Sequence, residues 1–249
     1  MLRAPGTNCD FETQVAFELA GAEVDSASVY ELFRGEKHLD DYRILVIPGG
    51  FTYGDDISAG KIMANEIRYR LGRDLDKFVN DGKLVLGICN GFQVLVKAGI
   101  LPGLPDVGQQ PVTLTHNDSG KFECRWIHLK VNTGSPCIFT RGIERMYIPV
   151  NHGEGKLVTA PGILEQLNVA IRYVDEKGNT GAGYPFNPNG SIDDIAGICD
   201  ATGRIFALMP HPERFVRWSQ HPRWTRETPQ EYGDGLQIFT NAVNWAGKI

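Results

Sequence analysis

The 249-residue chain sets 25 Lys and Arg against 30 Asp and Glu, a formal charge of -5 with its six histidines neutral. That mild acidity argues against a dedicated nucleic-acid binder, whose affinity rests on clustered cations. With 42% hydrophobic and 22% charged residues, no apolar run long enough to cross a bilayer and no signal-type apolar stretch after Met1, one cytoplasmic globular domain over residues 1–249 is expected.

In chain order, Val15, Ala16, Leu19 and Ala20 recur at helical spacing before Gly21. Arg43 to Ile47 is a short buried strand running into the tight loop Pro48, Gly49, Gly50. Helical spacing resumes with Ile67, Leu71, Leu75, Phe78 and Val79 and closes at Gly82. A second buried strand, Lys83 to Ile88, leads through Cys89, Asn90 and Gly91 into a helix over Phe92 to Ala98. Strands alternating with helices point to a parallel sheet covered on both faces. From Thr113 the pattern is strand-rich, with Phe122, Cys124 and Trp126 alternating with polar neighbours and a strand at Val169 to Val174. Ile195 to Cys199 and Arg204 to Leu208 form a hairpin about Asp200 to Gly203. Asn179 to Ser191 is a loop, and Leu236, Phe239, Val243 and Ala246 mark a last helix.

Several chemistries lack their residues. The five Gly-Lys dipeptides are followed by Ile62, Leu84, Phe122, Leu157 and Ile249, never by the Ser or Thr of a phosphate-binding loop. Gly181-Ala182-Gly183 has Phe186 where a dinucleotide fingerprint needs its third glycine. No H-E-x-x-H spacing supports a helical zinc site, and no metal is expected. Five cysteines with no C-x-x-C pair fit neither a disulfide framework nor a zinc ribbon.

One of those cysteines has a context. Gly87-Ile88-Cys89-Asn90-Gly91 matches a glycine-x-nucleophile-x-glycine elbow where a buried strand turns into a helix. A sharp turn presses the residues two positions away against neighbouring backbone, so both must lack a side chain, and the helix N-terminus favours a thiolate. The pentapeptide alone does not separate this from a small buried thiol between packing glycines. For Cys9, Cys124, Cys137 and Cys199, core or incidental packing is expected.

A thiolate acting on an amide needs a base that can protonate the departing amine, and a carboxylate to orient that base. His211-Pro212-Glu213 supplies both at the end of the apolar run Phe206 to Pro210. Alone, His211 reads as a loop histidine; with Cys89 it reads as the base. His152 is the rival, but Gly153 offsets its glutamate, Glu154, leaving nothing to hold the pair in register, and a lining or structural role is expected. His38, His116, His128 and His221 have no carboxylate placed to serve them. For an oxyanion, Gly50 and Asn90 offer backbone N–H groups.

Together these pieces resemble the class I, or triad-type, glutamine amidotransferases. More narrowly, the segments 48–56, 151–155, 184–191 and 209–214 are similar to the glutaminase subunits of phosphoribosylformylglycinamidine synthases, and the likeness spans essentially the whole chain. The resemblance implies a flavodoxin-like three-layer α/β sandwich with a central, mostly parallel sheet. It implies Cys89 as nucleophile, His211 and Glu213 as base and orienter, and an oxyanion hole from Gly50 and Asn90. Gln93 and Phe51 would line a glutamine pocket, with Asn117, Ser119 and His152 as further candidates. It also implies a separate synthetase partner that carries ATP and Mg, with or without a small third subunit, and no cofactor in this chain. The rivals are a glutaminase for another acceptor and a catalytically silent subunit of the same fold. Only Met1 and Leu2 precede Arg3 where the family has a full apolar strand, so a short first strand is expected.

Overall fold

The structure, a computed structural model, describes residues 1–104 and 110–248. The chain runs β1 (Leu2–Arg3), α1 (Asp10–Leu19), β2 (Ala27–Ser28), α2 (Val29–Phe33), β3 (Ile44–Ile47), α3 (Lys61–Glu66), α4 (Gly72–Asn80), β4 (Leu84–Ile88) and α5 (Asn90–Lys97). It continues as β5 (Val112–Thr115), β6 (Glu123–Val131), β7 (Arg145–His152), β8 (Lys156–Thr159), β9 (Asn168–Val174), β10 (Ile195–Cys199), β11 (Ile205–Leu208) and α6 (Leu236–Ala246). Among the described residues no helix is long and apolar enough to cross a membrane.

Seven strands form the central sheet in the order β3, β4, β11, β10, β9, β6, β7. The expected α/β sandwich is observed, and its parallel ladder is β3, β4 and β11, with Ile47 opposite Gly87 and Leu208 opposite Ile88. The other pairings are antiparallel, as the hairpin-type connections after α5 require. Helix α5 packs on β3, β4 and β11 with α3 beside it, while α1 packs on α6 through an edge-on contact of Phe17 and Phe239 at 5.0 Å. The first strand is short, as expected, and β1 pairs in parallel with β2. Because the three parallel strands end in register, Gly49, Cys89 and His211 emerge along one edge, where open α/β sheets place their ligands.

Two expectations change in detail. The spacing at Ile67, Leu71 and Leu75 reads as one helix, yet Ile67–Leu71 is a π-helical turn between α3 and α4. Apolar residues every fourth position drift by about 40° per step on an α-helix, and the wider turn keeps Ile67 and Leu71 buried together. Through Phe122 and into β6 the period of two holds but the faces are reversed: Phe122 and Cys124 are exposed, and the core takes Ile127, Leu129 and Val131. Helix α2 carries a legible capping signal, Ser28 with Glu31 three residues on, whose carboxylate accepts the Ser28 N–H at 2.7 Å.

Candidate active site

Strand β4 is buried throughout, and Cys89 turns the chain out of it into α5 with φ 51° and ψ -103°. A non-glycine residue held in such a region costs on the order of 1–3 kcal/mol and persists only where its surroundings enforce it. Here they do. A Cβ on Gly91 would overlap the Ile47 carbonyl, and one on Gly87 would lie 2.7 Å from the Leu95 side chain and 2.8 Å from the Gly91 carbonyl. The Cys89 N–H donates to the Leu208 carbonyl at 2.8 Å, and the buried thiol donates to the Asn151 carbonyl at 3.5 Å.

Backbone donors surround the cysteine. The Phe92 and Gln93 amides close the first turn of α5 on the Cys89 carbonyl, leaving the Asn90 N–H without a partner among the described residues. The Asn90 side chain is locked, accepting from Thr52 Oγ1 at 2.7 Å and donating to Gln93 Oε1 at 2.9 Å. Across the cleft, the bridge between Thr7 and Gly50 is made by Phe51 N to Gly6 O and Asn8 N to Gly49 O, so the Gly50 N–H is likewise unpartnered. Gly50 has φ 147°, and a Cβ there would come within 2.8 Å of both Asn8 N and Gly6 O.

Buried β11 delivers His211, whose Nδ1 sits 2.6 Å from Glu213 Oε1. The side chains are 1% and 0% exposed, and Pro212 between them limits the backbone. With Nδ1–H given to the carboxylate, Nε2 is the free lone pair; like Glu213 Oε2, it is buried with no hydrogen-bond partner among the described residues. Burial alone would push the imidazole down, but the Glu213 carboxylate and then Cys89 raise it, and the net direction is well above the ordinary histidine range. The next residue, Arg214, donates to Cys9 Sγ at 3.1 Å and Asn151 Oδ1 at 2.6 Å and lies 3.4 Å from Glu12, tying the turn to α1 and to β7.

Gly50, Cys89, His211 and Arg214 line a cleft of about 450 Å³ that also holds Phe51, Asp55, Gln93, Phe122, His152 and Glu154. Residues 1–246 match the family model for the CobB/CobQ-like glutamine amidotransferase domain. The chain belongs to this glutamine amidotransferase family. It is 56% identical over 249 residues to the phosphoribosylformylglycinamidine synthase subunit PurQ of Dehalococcoides mccartyi, covering 100% of this chain and 97% of that protein. It is 45% identical over 260 residues to the PurQ subunit of Methanococcus maripaludis, covering 98% of this chain and 95% of the relative. A solved structure described as PurLQS from Thermotoga maritima superposes with a TM-score of 0.75 at 32% identity, over 98% of this chain and 96% of that one.

For a glutamine amidotransferase, the secondary candidates divide. Phe51, Gln93 and His152 line the cleft, and Gln93 Nε2 donates to the Glu154 carbonyl at 2.6 Å. Asn117 stands behind it: its Oδ1 meets His152 Nδ1 at 3.2 Å and accepts the Gly155 N–H at 3.0 Å. Ser119 lies elsewhere, in a turn where its hydroxyl accepts the Lys121 N–H, beside Asp118 and Tyr184. His152 closes β7 and is held firmly, in keeping with the lining or structural role expected of it. Asn189 Nδ2 approaches its Nε2 at 3.5 Å, and its ring is packed against Gly155, where a Cβ would sit 2.5 Å away. Burial, then the neighbouring His211, push it down to about 3, so it is a neutral histidine.

Sequence reasoning missed several lining residues. Cys9, expected to be incidental, caps α1 within the cleft against Arg214. Asp55 and Glu154 also face it, and burial followed by Glu154 pushes the Asp55 carboxyl up. Beneath them lies buried Lys97, donating to Ser58 Oγ at 3.2 Å and Ala59 O at 2.5 Å. Glu154 and Glu227 stand 3.9 Å and 3.8 Å from His116 and His221, so those histidines do have acidic neighbours, though at long range. Only the lengths of the quoted motifs hinted at Asp55, Glu154 and Arg214. Of the other cysteines, Cys137 and Cys199 are buried, while exposed Cys124 accepts from Asn151 Nδ2 at 2.8 Å. Ligand atoms of Cys9, His211 and Glu213 lie within 4.8 Å of one another, but the guanidinium on Cys9 and the His211–Glu213 bond oppose a cation there.

Proposed function

We propose that this glutamine amidotransferase hydrolyses glutamine through Cys89, His211 and Glu213 and acts as the ammonia-producing subunit of a phosphoribosylformylglycinamidine synthase in purine biosynthesis. The observation that carries the reading is the pairing of a thiol on a strained strand-to-helix turn with a buried imidazole whose Nδ1 is held by a carboxylate. His211 Nε2 takes the Cys89 proton as sulfur attacks the side-chain carboxamide. The N–H groups of Gly50 and Asn90 receive the developing oxyanion. Collapse expels ammonia, which carries the proton returned by His211 and leaves a γ-glutamyl thioester; water, deprotonated by the same nitrogen, then releases glutamate and restores the thiol.

Substrate recognition follows the charges around the cleft. The carboxylates of Asp55 and Glu154 suit the α-ammonium of glutamine, which would also relieve their mutual repulsion. Gln93 and the Asn151 to Gly155 backbone offer polar contacts, and Phe51 with Phe122, centroids 6.3 Å apart, covers the aliphatic stem. The ammonia acceptor belongs to a synthetase subunit, which would carry ATP and Mg. Support comes from the 56% identical PurQ relative and from the related PurLQS structure, and a small third subunit fits the latter's description.

Cys89→Ala tests the chemistry in the assembled complex. Glutamate release and labelling by a glutamine-like electrophile should both disappear while the melting profile is unchanged. Undiminished glutamate release would sink the assignment. Assembly with a synthetase acting on a different acceptor would overturn the purine role alone.

A further inference from the structure

A second cleft, about 760 Å³, shares no lining residue with the first. Its walls are aromatic. Trp126 and His128 come from β6, Tyr147 lies opposite His128 on β7, and Phe215, Trp218 and His221 follow the turn that carries Glu213. The rings brace one another: His128 stacks on Tyr147 at 4.4 Å, Trp218 stacks on His221 at 4.8 Å, and Trp126 stands edge-on to His221 at 5.6 Å. His221 Nδ1 accepts the Arg223 N–H at 3.2 Å, which places its proton on Nε2, toward Glu227.

The charge around these rings is one-sided. Among the described residues that line the cleft, Glu176, Glu227 and Asp234 stand against one Lys or Arg, Arg223, which is already paired with Glu227 at 2.7 Å. Asp234 is engaged by the Tyr147 N–H at 2.8 Å, whereas Glu176 has no hydrogen-bond or ion-pair partner among the described residues. Aromatic faces with surplus carboxylate attract organic cations and repel phosphates and carboxylates. Buried Phe215 and His221 make the floor rigid, so the site exists before any ligand arrives.

We infer that this cleft binds a guanidinium or alkylammonium group, seated against the Trp126 and Trp218 rings and paired with Glu176 and Glu227. A free small amine, or an Arg or Lys side chain of a partner protein, would bring the same chemistry. No substrate of the glutaminase reaction is involved.

The test is a tryptophan-fluorescence titration of the full chain with butylguanidinium and with butylurea, its neutral isostere. Saturable binding of butylguanidinium is expected, at least tenfold tighter than that of butylurea. Glu176→Gln combined with Glu227→Gln should weaken it at least fivefold without moving the melting temperature, because both residues lie at the surface. Equal binding of the two probes, absence of saturation, or unchanged binding by the double variant would overturn the inference. A second arm, which alone rests on the proposed synthetase partnership, identifies the source. If a partner side chain fills the cleft, the assembled complex no longer takes up butylguanidinium and the double variant assembles more weakly. If the source is a free amine, the complex binds the probe as the single chain does and assembly is unaffected.

Discussion

Two buried imidazoles meet at one cleft and are driven in opposite directions. His211 is 1% exposed and His152 is 3% exposed, so desolvation disfavours the charge on both. What separates them is the second neighbour. Glu213 stands 2.6 Å from one ring, whereas among the described residues the other ring's hydrogen-bond partners are the amides of Asn117 and Asn189. A carboxylate compensates a buried cation and an amide does not, so the first ring can hold a proton and the second stays neutral. Each ring is also packed against a glycine: a Cβ on Gly49 would lie 2.9 Å from His211, and one on Gly155 would lie 2.5 Å from His152. Similar burial and packing thus yield a ring that can carry a proton at one end, the base of the proposed reaction, and a neutral strut at the other.

Removing the proposed base should have the largest effect. His211→Ala is expected to lower glutamine turnover in the assembled complex by at least about 10⁴-fold, and a residual rate above a hundredth of the parent's would refute its role. Glu213→Gln keeps a hydrogen bond but removes the charge, so a loss between about 10²- and 10⁴-fold is expected. The same variant should also shift the pH profile, because the carboxylate is the largest influence raising His211.

The strut should respond in stability instead. His152→Gln leaves parts of a buried polar network unpaired, and a loss of about 1–3 kcal/mol in urea unfolding is expected, with turnover reduced less than by Glu213→Gln. The pH dependence has a definite sign. Folded His152 resists protonation down to about pH 3, while the unfolded chain takes up that proton near its ordinary value of about 6.5. Its share of stability is therefore present above about pH 6.5 and is lost as pH falls toward 3. His211, shifted upward, acts with the opposite sign: its share is present at low pH and fades as pH rises through its folded value. Unfolding at pH 7 and pH 4.5 should show the His152→Gln variant losing less between the two than the parent, and equal losses would contradict a neutral His152. The smallest effect is expected from Gly155→Ala, about 1 kcal/mol or somewhat more as the ring shifts to admit a methyl group.

Much of this was legible because it is local. The two glycines about Cys89 state that the turn is tight, and the contacts of Gly87 and Gly91 supply the reason. His211 and Glu213 are two residues apart with a proline between, so chain geometry nearly suffices to pair them. The same spacing favours His211 over His152 as a base, and the structure gives the two rings different partners, a carboxylate for His211 and amides for His152. By contrast, the period of β6 was legible but its face was not, since alternation cannot say which side of a strand the core occupies. Ser119 sits in a suggestive segment but points into a turn beside Tyr184, away from the cleft.

The sequence by itself determined the α/β order, the single cysteine in an elbow and the histidine with its carboxylate, all encoded within a few residues of one another. Tertiary structure decided the rest. Only the in-register ends of β3, β4 and β11 bring Gly50, Cys89 and His211 to one edge. Only the packing of α1 and β7 against that edge sets Cys9 and Arg214 beside His211 and leaves His152 neutral between amides. Charge state and proximity depend on what crosses from other parts of the chain, and those crossings are long-range contacts that no local pattern records.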